Sequence, residues 1–375
     1  MYLINNIAIT AITSNHFRKK AFSLEQKYHE EQDKHNIEKM RAVLSELPAF
    51  CKQYFHDITE YTSTRTRLAY AYDLRVFFQF IHDNNPICGD IPIKDYPLKL
   101  LEQITKDDIM EYLDYMALYE KNGKTIVNKE RGKARKIASL RSFYNYYYKN
   151  EKIEKNPASL VSLPKQHDKE IIRLEPNEVA ILLDQVEAGT KLTKSQLKYH
   201  KINKVRDVAI LTLLLGTGIR VSECVGLNIN DVDLDNGALI VHRKGGYNTT
   251  VYFGYEVESA LRDYMDQREN MIPLSGHEDA FFISMQNKRI GVRSVENLVR
   301  KYTSNVTTLK KITPHKLRST YGTSLYKETG DIYLVANVLG HKDVNTTRKH
   351  YAAVDDESRR RAINAVKLRE TDENK

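Results

Sequence analysis

The sequence predicts a mainly α protein of two domains, with one small β-hairpin in the second domain. Three observations lead to this prediction. Apolar residues recur with helical spacing through most of residues 45–160 and again after Pro176. A segment rich in proline and charge, residues 156–176, separates the two helical stretches. The one clear β signal follows residue 237, where two short apolar strands flank a glycine-bearing turn.

These features divide the chain into four parts. We assign an N-terminal extension to 1–44, a helical domain to 45–160, a linker to 161–175 and a second, larger domain to 176–375. At 375 residues the chain is long enough for two domains that each bury a core. Its opening is apolar first and basic afterwards, the reverse of a secretory signal. A start at Met40 is an alternative, because the domain-like pattern follows it.

The composition favours a polyanionic partner. The formal net charge is +9 and the isoelectric point is about 9.1, with 41% apolar and 29% charged residues. No apolar run reaches the length of about 18 residues that a membrane-spanning helix needs, so we predict no membrane association. The cysteines Cys51, Cys88 and Cys224 are odd in number and widely spaced. This spacing favours a reducing, cytoplasmic compartment over a disulfide or zinc framework.

Two helices of the first domain are predicted from their apolar spacing and start signals. The stretch LAYAYDLRVFFQFI places Leu74, Phe77, Phe78 and Ile81 on one helix face. The stretch ITKDDIMEYLDYM begins with Thr105 as its N-cap, and two acidic residues follow in the first turn. Both patterns are typical of helices that bury one face against a neighbour.

A third helix of this domain carries a basic run before a group of tyrosines. The cations of NKERGKARKIASLRSFYNYYYKN are Lys129, Arg131, Lys133, Arg135, Lys136 and Arg141. One interpretation is an amphipathic helix with a solvated basic face and a tyrosine-rich core side. The other is a DNA-facing helix whose cations contact phosphates. Taken alone, the segment favours the first interpretation.

The second domain begins with a helix after Pro176, followed by a very apolar helix at 205–218. The segments GALIVHR and TTVYF then flank the turn KGGYN, which predicts a hairpin. The remainder to about residue 369 is predicted to be mostly helical. Thr313 and Pro314 open one of these helices.

Two cations near the apolar helix and the hairpin are candidates for phosphate contacts. Arg220 follows the glycines that end the apolar helix, in the stretch LLLGTGIRVSE. That stretch lacks the lysine and the spacing of a nucleotide-binding P-loop. Lys244 lies at the hairpin turn. By itself each residue is better explained as a solvated side chain at a loop.

Four further candidates come from the C-terminal third of the chain. His315 and Arg318 are three residues apart and share a helix face. His341 and Tyr351 bracket a basic stretch that lacks the HxxxH spacing of a zinc site. An exposed polar face explains the first pair in isolation, and core packing explains the second.

Taken together, these residues occur in the order Arg, Lys, His-x-x-Arg, His, Tyr, with GTGIR, PHKLR and LGH as context. This order resembles the tyrosine recombinase (phage integrase) family, in particular its Xer-like site-specific recombinases. The resemblance covers roughly residues 176–355, and the stretch at 45–160 is similar to the family's core-binding, SAM-like domain. Matched motif by motif, it assigns the catalytic positions to Arg220, Lys244, His315, Arg318, His341 and Tyr351. Glu223 matches the acidic supporting position.

The resemblance implies a C-shaped, two-domain clamp on double-stranded DNA and an enzyme that needs no cofactor or metal. Cleaving a phosphodiester without a metal requires positive charge at the non-bridging oxygens, a nucleophile, and a proton for the leaving 5′ oxygen. The arginine forks suit the first need and the Tyr351 phenol suits the second. Lys244 suits the third, with His315 as base and His341 as hydrogen-bond donor.

Two positions near the motifs depart from the family pattern. Ser319 stands where the family often has a second histidine directly after the second arginine, but this position is not among the six catalytic ones. His350, next to the tyrosine, is assigned to packing or to a DNA contact. The interval of ten residues from His341 to Tyr351 is one longer than in some members.

The sequence is compatible with more than one function and with more than one biological setting. A non-catalytic DNA-binding protein would keep the same fold, and a related topoisomerase would relax supercoils without a defined site. Chromosome dimer resolution is not separated from integration or excision of a mobile element. Residues 355–368 have a helical pattern with a small apolar patch of Ala362, Ile363 and Val366. With the resemblance, this patch predicts a monomer in solution and a cyclic tetramer on paired DNA sites.

Overall fold

The computed structural model describes most of the chain as two compact units. One lies within Gln26–Lys169 and the other within Glu170–Lys375. The described residues are 28, 30–86, 88–121, 123–162, 171–243, 247–341, 343–345 and 347–348. Both units are mainly helical, as the sequence predicts. Within these ranges no helix is long and apolar enough to cross a membrane.

The N-terminal unit is a set of helices with one small hairpin. Its helices are α1 (residues 30–44), α2 (Cys51–Asp57), α3 (Thr64–Asn84), α4 (Leu100–Gln103), α5 (Lys106–Tyr115), α6 (Glu130–Lys149) and α7 (Pro157–Leu160). Strands β1 (Leu118–Lys121) and β2 (Lys124–Val127) pair antiparallel between α5 and α6. The prediction of a purely helical first domain is therefore wrong at this point. The Asn-Gly step at the turn, with Gly123 at φ 67°, is the local signal for the hairpin.

Aromatic packing between α3 and α6 forms the core of this unit. The predicted apolar face of α3 is confirmed, since Leu74, Phe77, Phe78 and Ile81 are each at most 2% exposed. The Phe78 ring meets the Phe143 ring of α6 edge-to-face, with centroids 6.1 Å apart. Each such buried side chain contributes about 1.5–3 kcal/mol to stability. The tyrosine-rich side of α6 thus faces inward.

Local signals explain how the neighbouring helices begin and end. Thr105 caps α5 as predicted: its hydroxyl accepts the Asp108 N–H at 3.2 Å, and the Asp108 carboxylate accepts the Thr105 N–H at 2.7 Å. This reciprocal pair is a capping box. At the other end of the unit, α1 finishes with Val43 and Leu44, which are buried in the same core.

The C-terminal unit is arranged around one long helix. Its helices are α8 (Pro176–Ala188), α9 (Lys194–Thr217), α10 (Val221–Gly226), α11 (Tyr255–Glu269), α12 (Val292–Thr303), α13 (Pro314–Thr329) and α14 (Ile332–Leu339). The apolar half of α9 is buried against α8, α11 and α13. The helix starts earlier than the predicted residue 205, because Thr193 and Gln196 form a capping box ahead of its polar half.

A three-stranded antiparallel sheet lies beside these helices. Its strands are β3 (Val232–Asp233), β4 (Ala238–Arg243) and β5 (Tyr247–Tyr252), in the order β3-β4-β5. The predicted hairpin of β4 and β5 is confirmed, with Arg243 paired to Tyr247 at its closed end. Leu239 and Val241 of β4 are buried in the core. Because β4 also contacts α10, the hairpin is anchored next to the residues that follow α9.

Candidate active site

The turn after α9 presents Arg220. The helix is capped by Gly218, whose φ of 64° lies in the left-handed region. A Cβ at this position would collide with the Tyr321 ring, so glycine is required for two reasons. Arg220 is the N-cap of α10, and its backbone N–H and Nη1 donate to the Glu223 carboxylate at 2.8 and 2.7 Å. The buried Glu223 therefore orients the Arg220 fork.

Helix α13 carries the His-x-x-Arg pair. Pro314 is its first residue, as the sequence predicts, and His315 lies exposed in the first turn. Arg318 follows three residues later and is only 4% exposed. Its Nη1 donates to the Gly218 carbonyl at 2.6 Å, and its Nη2 donates to the Leu339 carbonyl. One side chain thus connects the end of α9 to the end of α14.

The turn that carries His341 follows α14 directly. Gly340 has a φ of 61°. The N–H groups of Gly340 and His341 donate to the carbonyls of Asn337 and Ala336 at 2.8 and 2.9 Å, which is a Schellman C-cap. Nδ1 of His341 lies 2.7 Å from Oγ1 of the buried Thr347. Thr347 therefore helps to orient the imidazole through Nδ1.

The backbone carbonyls of the last three residues before His341 each accept a hydrogen bond from an arginine side chain. The pairs are Val338 with Arg243 at 2.9 Å, Leu339 with Arg318, and Gly340 with Arg220 at 3.3 Å. The C-terminal end of a helix carries a partial negative charge, which favours cations at this place. Three guanidinium groups from three separate elements therefore gather at the end of α14, immediately before His341.

Arg243 is the member of this group that the motifs do not single out. It is the last residue of β4 and directly precedes Lys244. Burial lowers the pKa of the Arg243 guanidinium, the Glu223 carboxylate raises it, and the Arg220 guanidinium lowers it again. The charges of Arg243, Glu223 and Arg220 are therefore close enough to influence one another. The only sequence signal is the basic pair at the hairpin turn, which is typical of a solvated loop.

Two of the six predicted catalytic residues lie outside the described residues. They are Lys244, in the turn between β4 and β5, and Tyr351. The neighbouring His350 and the predicted helix at 355–368 lie outside as well. In the part of the chain that is described, no group of three or more His, Cys, Asp or Glu side chains could hold a metal ion.

Part of the basic run on α6 is engaged inside the N-terminal unit. Lys136 is buried, and its Nζ lies 3.1 Å from the Asp73 carboxylate. Arg135 donates to the same carboxylate through both terminal nitrogens, while about half of its side chain stays exposed. Asp73 is 62 residues away from Arg135 along the chain. These two cations therefore have a structural partner that the α6 sequence does not reveal.

The other cations of the run differ in their exposure. Arg141 is half-buried and donates to the backbone carbonyls of Ala158 and Val161. The remaining cations lie at or near the surface: Lys129 and Arg131 are exposed, and Lys133 is half-buried. Apart from Arg135, the exposed cations of the run thus lie at the start of α6.

Known proteins are similar to this chain over most of its length. The sequence model of the phage integrase family matches residues 173–358. The tyrosine recombinase XerC of Caldanaerobacter subterraneus is 36% identical over 313 residues, covering 80% of this chain and 81% of that protein. The tyrosine recombinase XerS of Streptococcus mutans is 30% identical over 351 residues, covering 86% of this chain and 97% of that protein. Both alignments are longer than the family match and so include part of the N-terminal unit.

Solved structures share the fold. The XerH site-specific recombinase bound to palindromic difH substrate aligns with a TM-score of 0.60 and 19% identity, over 80% of each chain. The integrase of the transposon Tn1549 in complex with circular intermediate DNA aligns with a TM-score of 0.58 and 20% identity, over 80% of this chain and 94% of that one. The sequence relatives settle the family: this chain belongs to the phage integrase family, the tyrosine-type site-specific recombinases.

Proposed function

We propose that this protein cuts and rejoins DNA strands at defined sites through a covalent 3′-phosphotyrosine intermediate. The observation that carries the proposal is the meeting of Arg220 and Arg318 at the end of α14, beside His341. A backbone carbonyl orients a guanidinium without cancelling its charge. The Glu223 carboxylate faces Arg220, but three guanidinium groups against one carboxylate leave positive charge to offer an anion, and a scissile DNA phosphate fits that need.

Three residues perform the covalent step in this proposal. The phenol oxygen of Tyr351 attacks the phosphorus, and the bond from phosphorus to the 5′ oxygen breaks. The phenol proton passes to His315, and Lys244 gives a proton to the leaving 5′ oxygen. In rejoining, a 5′ hydroxyl attacks the phosphotyrosine and the protons move back. One phosphoester replaces another, so no external energy source is consumed.

The remaining residues stabilise charge. Arg220 and Arg318 bind the non-bridging phosphate oxygens, where negative charge develops in the transition state. His341 donates a hydrogen bond from the nitrogen opposite the one that meets Thr347. Glu223 keeps the Arg220 fork in its orientation. We propose that these groups stabilise the phosphate charge in the cleavage step and in the rejoining step alike.

The test of this function is the nucleophile. Tyr351→Phe removes one oxygen and keeps the ring, so DNA binding persists while covalent adduct disappears. The measurement is transfer of label from a nicked suicide substrate to protein. An adduct in the Phe variant would move the nucleophile to another of the 24 tyrosines. A wild type that binds but never forms adduct would favour the non-catalytic alternative, and relaxation of arbitrary supercoiled plasmids would favour the topoisomerase.

The proposal extends to the way the domains hold DNA. Residues 45–160 act as the core-binding domain and residues 176–375 as the catalytic domain, and together they clamp the duplex. Lys129, Arg131 and Lys133 at the start of α6 contact phosphates from the first of these domains. The buried, unpaired cysteines Cys51, Cys88 and Cys224 support the cytoplasm as the compartment.

Of the two biological settings, the Xer relatives favour chromosome dimer resolution over movement of a mobile element. Sequencing genomic DNA trapped on the protein distinguishes them: one chromosomal site supports dimer resolution, and sites at the ends of an element support integration or excision.

For assembly we propose a monomer in solution and a tetramer on two sites, joined through residues 356–375. Deleting these residues should spare binding to one site and abolish synapsis, measured by light scattering with DNA. Tetrameric synapses in the truncated protein would contradict this assembly.

A further inference from the structure

Arg243 occupies a closely fitted position at the end of α14. Its Nη2 donates to the Val338 carbonyl at 2.9 Å. Its guanidinium also lies so close to Gly340 that a Cβ at that glycine would collide with it. The left-handed φ of Gly340 already favours glycine, so the turn before His341 suits this side chain in both conformation and space.

The same residue ends the strand that leads to Lys244. Leu239 and Val241, earlier in β4, are buried and fix the strand in the core. At the hairpin's closed end, Arg243 pairs with Tyr247, which is exposed. The guanidinium therefore supplies the contact that ties this end of β4 to the helix end where Arg220 and Arg318 are bound.

The electrostatics of this contact suggest more than a fold-stabilising role. Burial is the largest cost of placing the Arg243 charge here, and the neighbouring Arg220 charge adds a smaller one. The partial negative charge at the end of α14 and the Glu223 carboxylate offset part of it. The position makes sense where an anion is to be bound and where the hairpin must be held next to it.

We infer that Arg243 is a positioning residue that holds the end of β4 against α14 and so places Lys244 for proton donation to the leaving 5′ oxygen. This inference rests on the proposed role of Lys244. A displacement of about 1 Å at a reacting group can cost about 100-fold in rate. Arg243→Ala should therefore slow the cleavage of ordinary DNA by about 100-fold while leaving DNA binding in place.

The experiment compares two suicide substrates under single-turnover conditions. One has the normal 5′ oxygen, and the other has a 5′-bridging sulfur, whose thiolate leaves without a proton. Lys244→Ala and Arg243→Ala should both be slow on the oxygen substrate and both return to within about threefold of wild type on the sulfur substrate. The double variant should be no slower than Lys244→Ala, because both changes remove the same proton transfer.

Arg289→Ala is the matched control. The Arg289 guanidinium also binds carbonyls at a helix end, those of Val225, Gly226 and Leu227 at 3.1, 3.0 and 2.8 Å. It lies at α10 rather than at the hairpin turn, so any loss of rate should be the same on both substrates. Arg243→Lys provides a second variant if the Ala variant does not fold. It keeps the charge, loses the fork, and should show a smaller defect with the same preference for the sulfur substrate.

The outcomes separate this inference from the proposed function. If Lys244→Ala regains its rate on sulfur but neither Arg243 variant does, Arg243 acts on the phosphate or on the fold, and the inference is overturned. If Lys244→Ala itself stays slow on sulfur, the proposed role of Lys244 fails and the inference fails with it. The inference is supported if Lys244→Ala and Arg243→Ala both regain their rate on the sulfur substrate, while the loss of rate in Arg289→Ala is the same on both substrates.

Discussion

Each unit of this protein contains a cluster of cations, and the two clusters differ in the share of their partners that are carboxylates. In the N-terminal unit, Arg135 and Lys136 converge on the buried carboxylate of Asp73. In the C-terminal unit, the guanidinium groups of three arginines converge on backbone carbonyls at the end of α14, and one of them, Arg220, also binds the Glu223 carboxylate. A carboxylate cancels much of the charge that it binds, whereas a carbonyl orients a cation and leaves its charge in place.

This difference distinguishes a cluster that joins two helices of one unit from a cluster that we propose serves a ligand. The Asp73 cluster joins α3 to α6 and completes a buried ion network inside one unit. The α14 cluster brings together α10, α13 and β4, and it includes the exposed edge of Arg220. Basic residues alone therefore do not identify a DNA-binding surface, because their partners decide what remains for the phosphate.

The largest effect is expected at Arg318. Arg318→Ala should lower the cleavage rate by about 1,000-fold, since a charge on the developing negative oxygens is lost. The sulfur substrate should not restore it. Arg268→Ala is the control, because that buried arginine also donates to carbonyls, those of Ala280 and Glu278, away from α14. Equal losses of cleavage in both folded variants would show that Arg318 acts only through the fold.

The counterpart in the other unit is Asp73. Asp73→Ala leaves Lys136 buried without its carboxylate and should lower the free energy of unfolding by about 3 kcal/mol. Urea unfolding followed by circular dichroism measures this. Glu46→Ala breaks the solvent-exposed pair with Arg75 and should change the same quantity by less than about 1 kcal/mol. The structural role of the Asp73 cluster would be contradicted if Asp73→Ala left the free energy of unfolding unchanged and slowed cleavage in the folded protein.

Glu223 tests whether a carboxylate within the α14 cluster behaves like Asp73. Glu223→Gln keeps an oxygen acceptor for Arg220 but removes the charge and one of the two bonds. We expect cleavage to fall by about tenfold through a less well oriented fork, with DNA affinity kept. Rates on suicide substrates and equilibrium binding measure the two quantities. Lost stability with an unchanged rate would instead place Glu223 in the same class as Asp73.

The smallest effect per residue is expected on the surface of α6. Replacing Lys129, Arg131 and Lys133 by Gln should weaken binding equally across DNA sequences. The slope of log affinity against log salt should become shallower by about 0.9 for each DNA phosphate that the protein no longer neutralises. Fluorescence anisotropy at several salt concentrations measures this slope. Arg135→Gln is the control, since both terminal nitrogens of the Arg135 guanidinium already donate to the Asp73 carboxylate. An equal change of slope in the control would mean that a cation with a carboxylate partner still neutralises a DNA phosphate.

The sequence by itself determined most of what depends on neighbours within a few residues. The N-cap at Thr105, the buried face of α3, the β4–β5 hairpin and the start of α13 at Pro314 all follow from local spacing and were predicted. The order of the motifs in the C-terminal unit was enough to bring Arg220, Arg318 and His341 into one hypothesis. The β1–β2 hairpin was missed although its turn signal is local, because its strands are only four residues long.

Only the tertiary structure decided which partner each cation has. Lys136 meets Asp73 from 63 residues away, and Arg243 meets Val338 from 95 residues away. No pattern within α6 or β4 contains that information, because a long cationic side chain is equally suited to water, a carboxylate, a carbonyl or a phosphate. Folding selects among these partners by bringing distant elements together. That selection is why half of one basic run has partners inside its own unit while a single arginine at a hairpin turn joined the candidate active site.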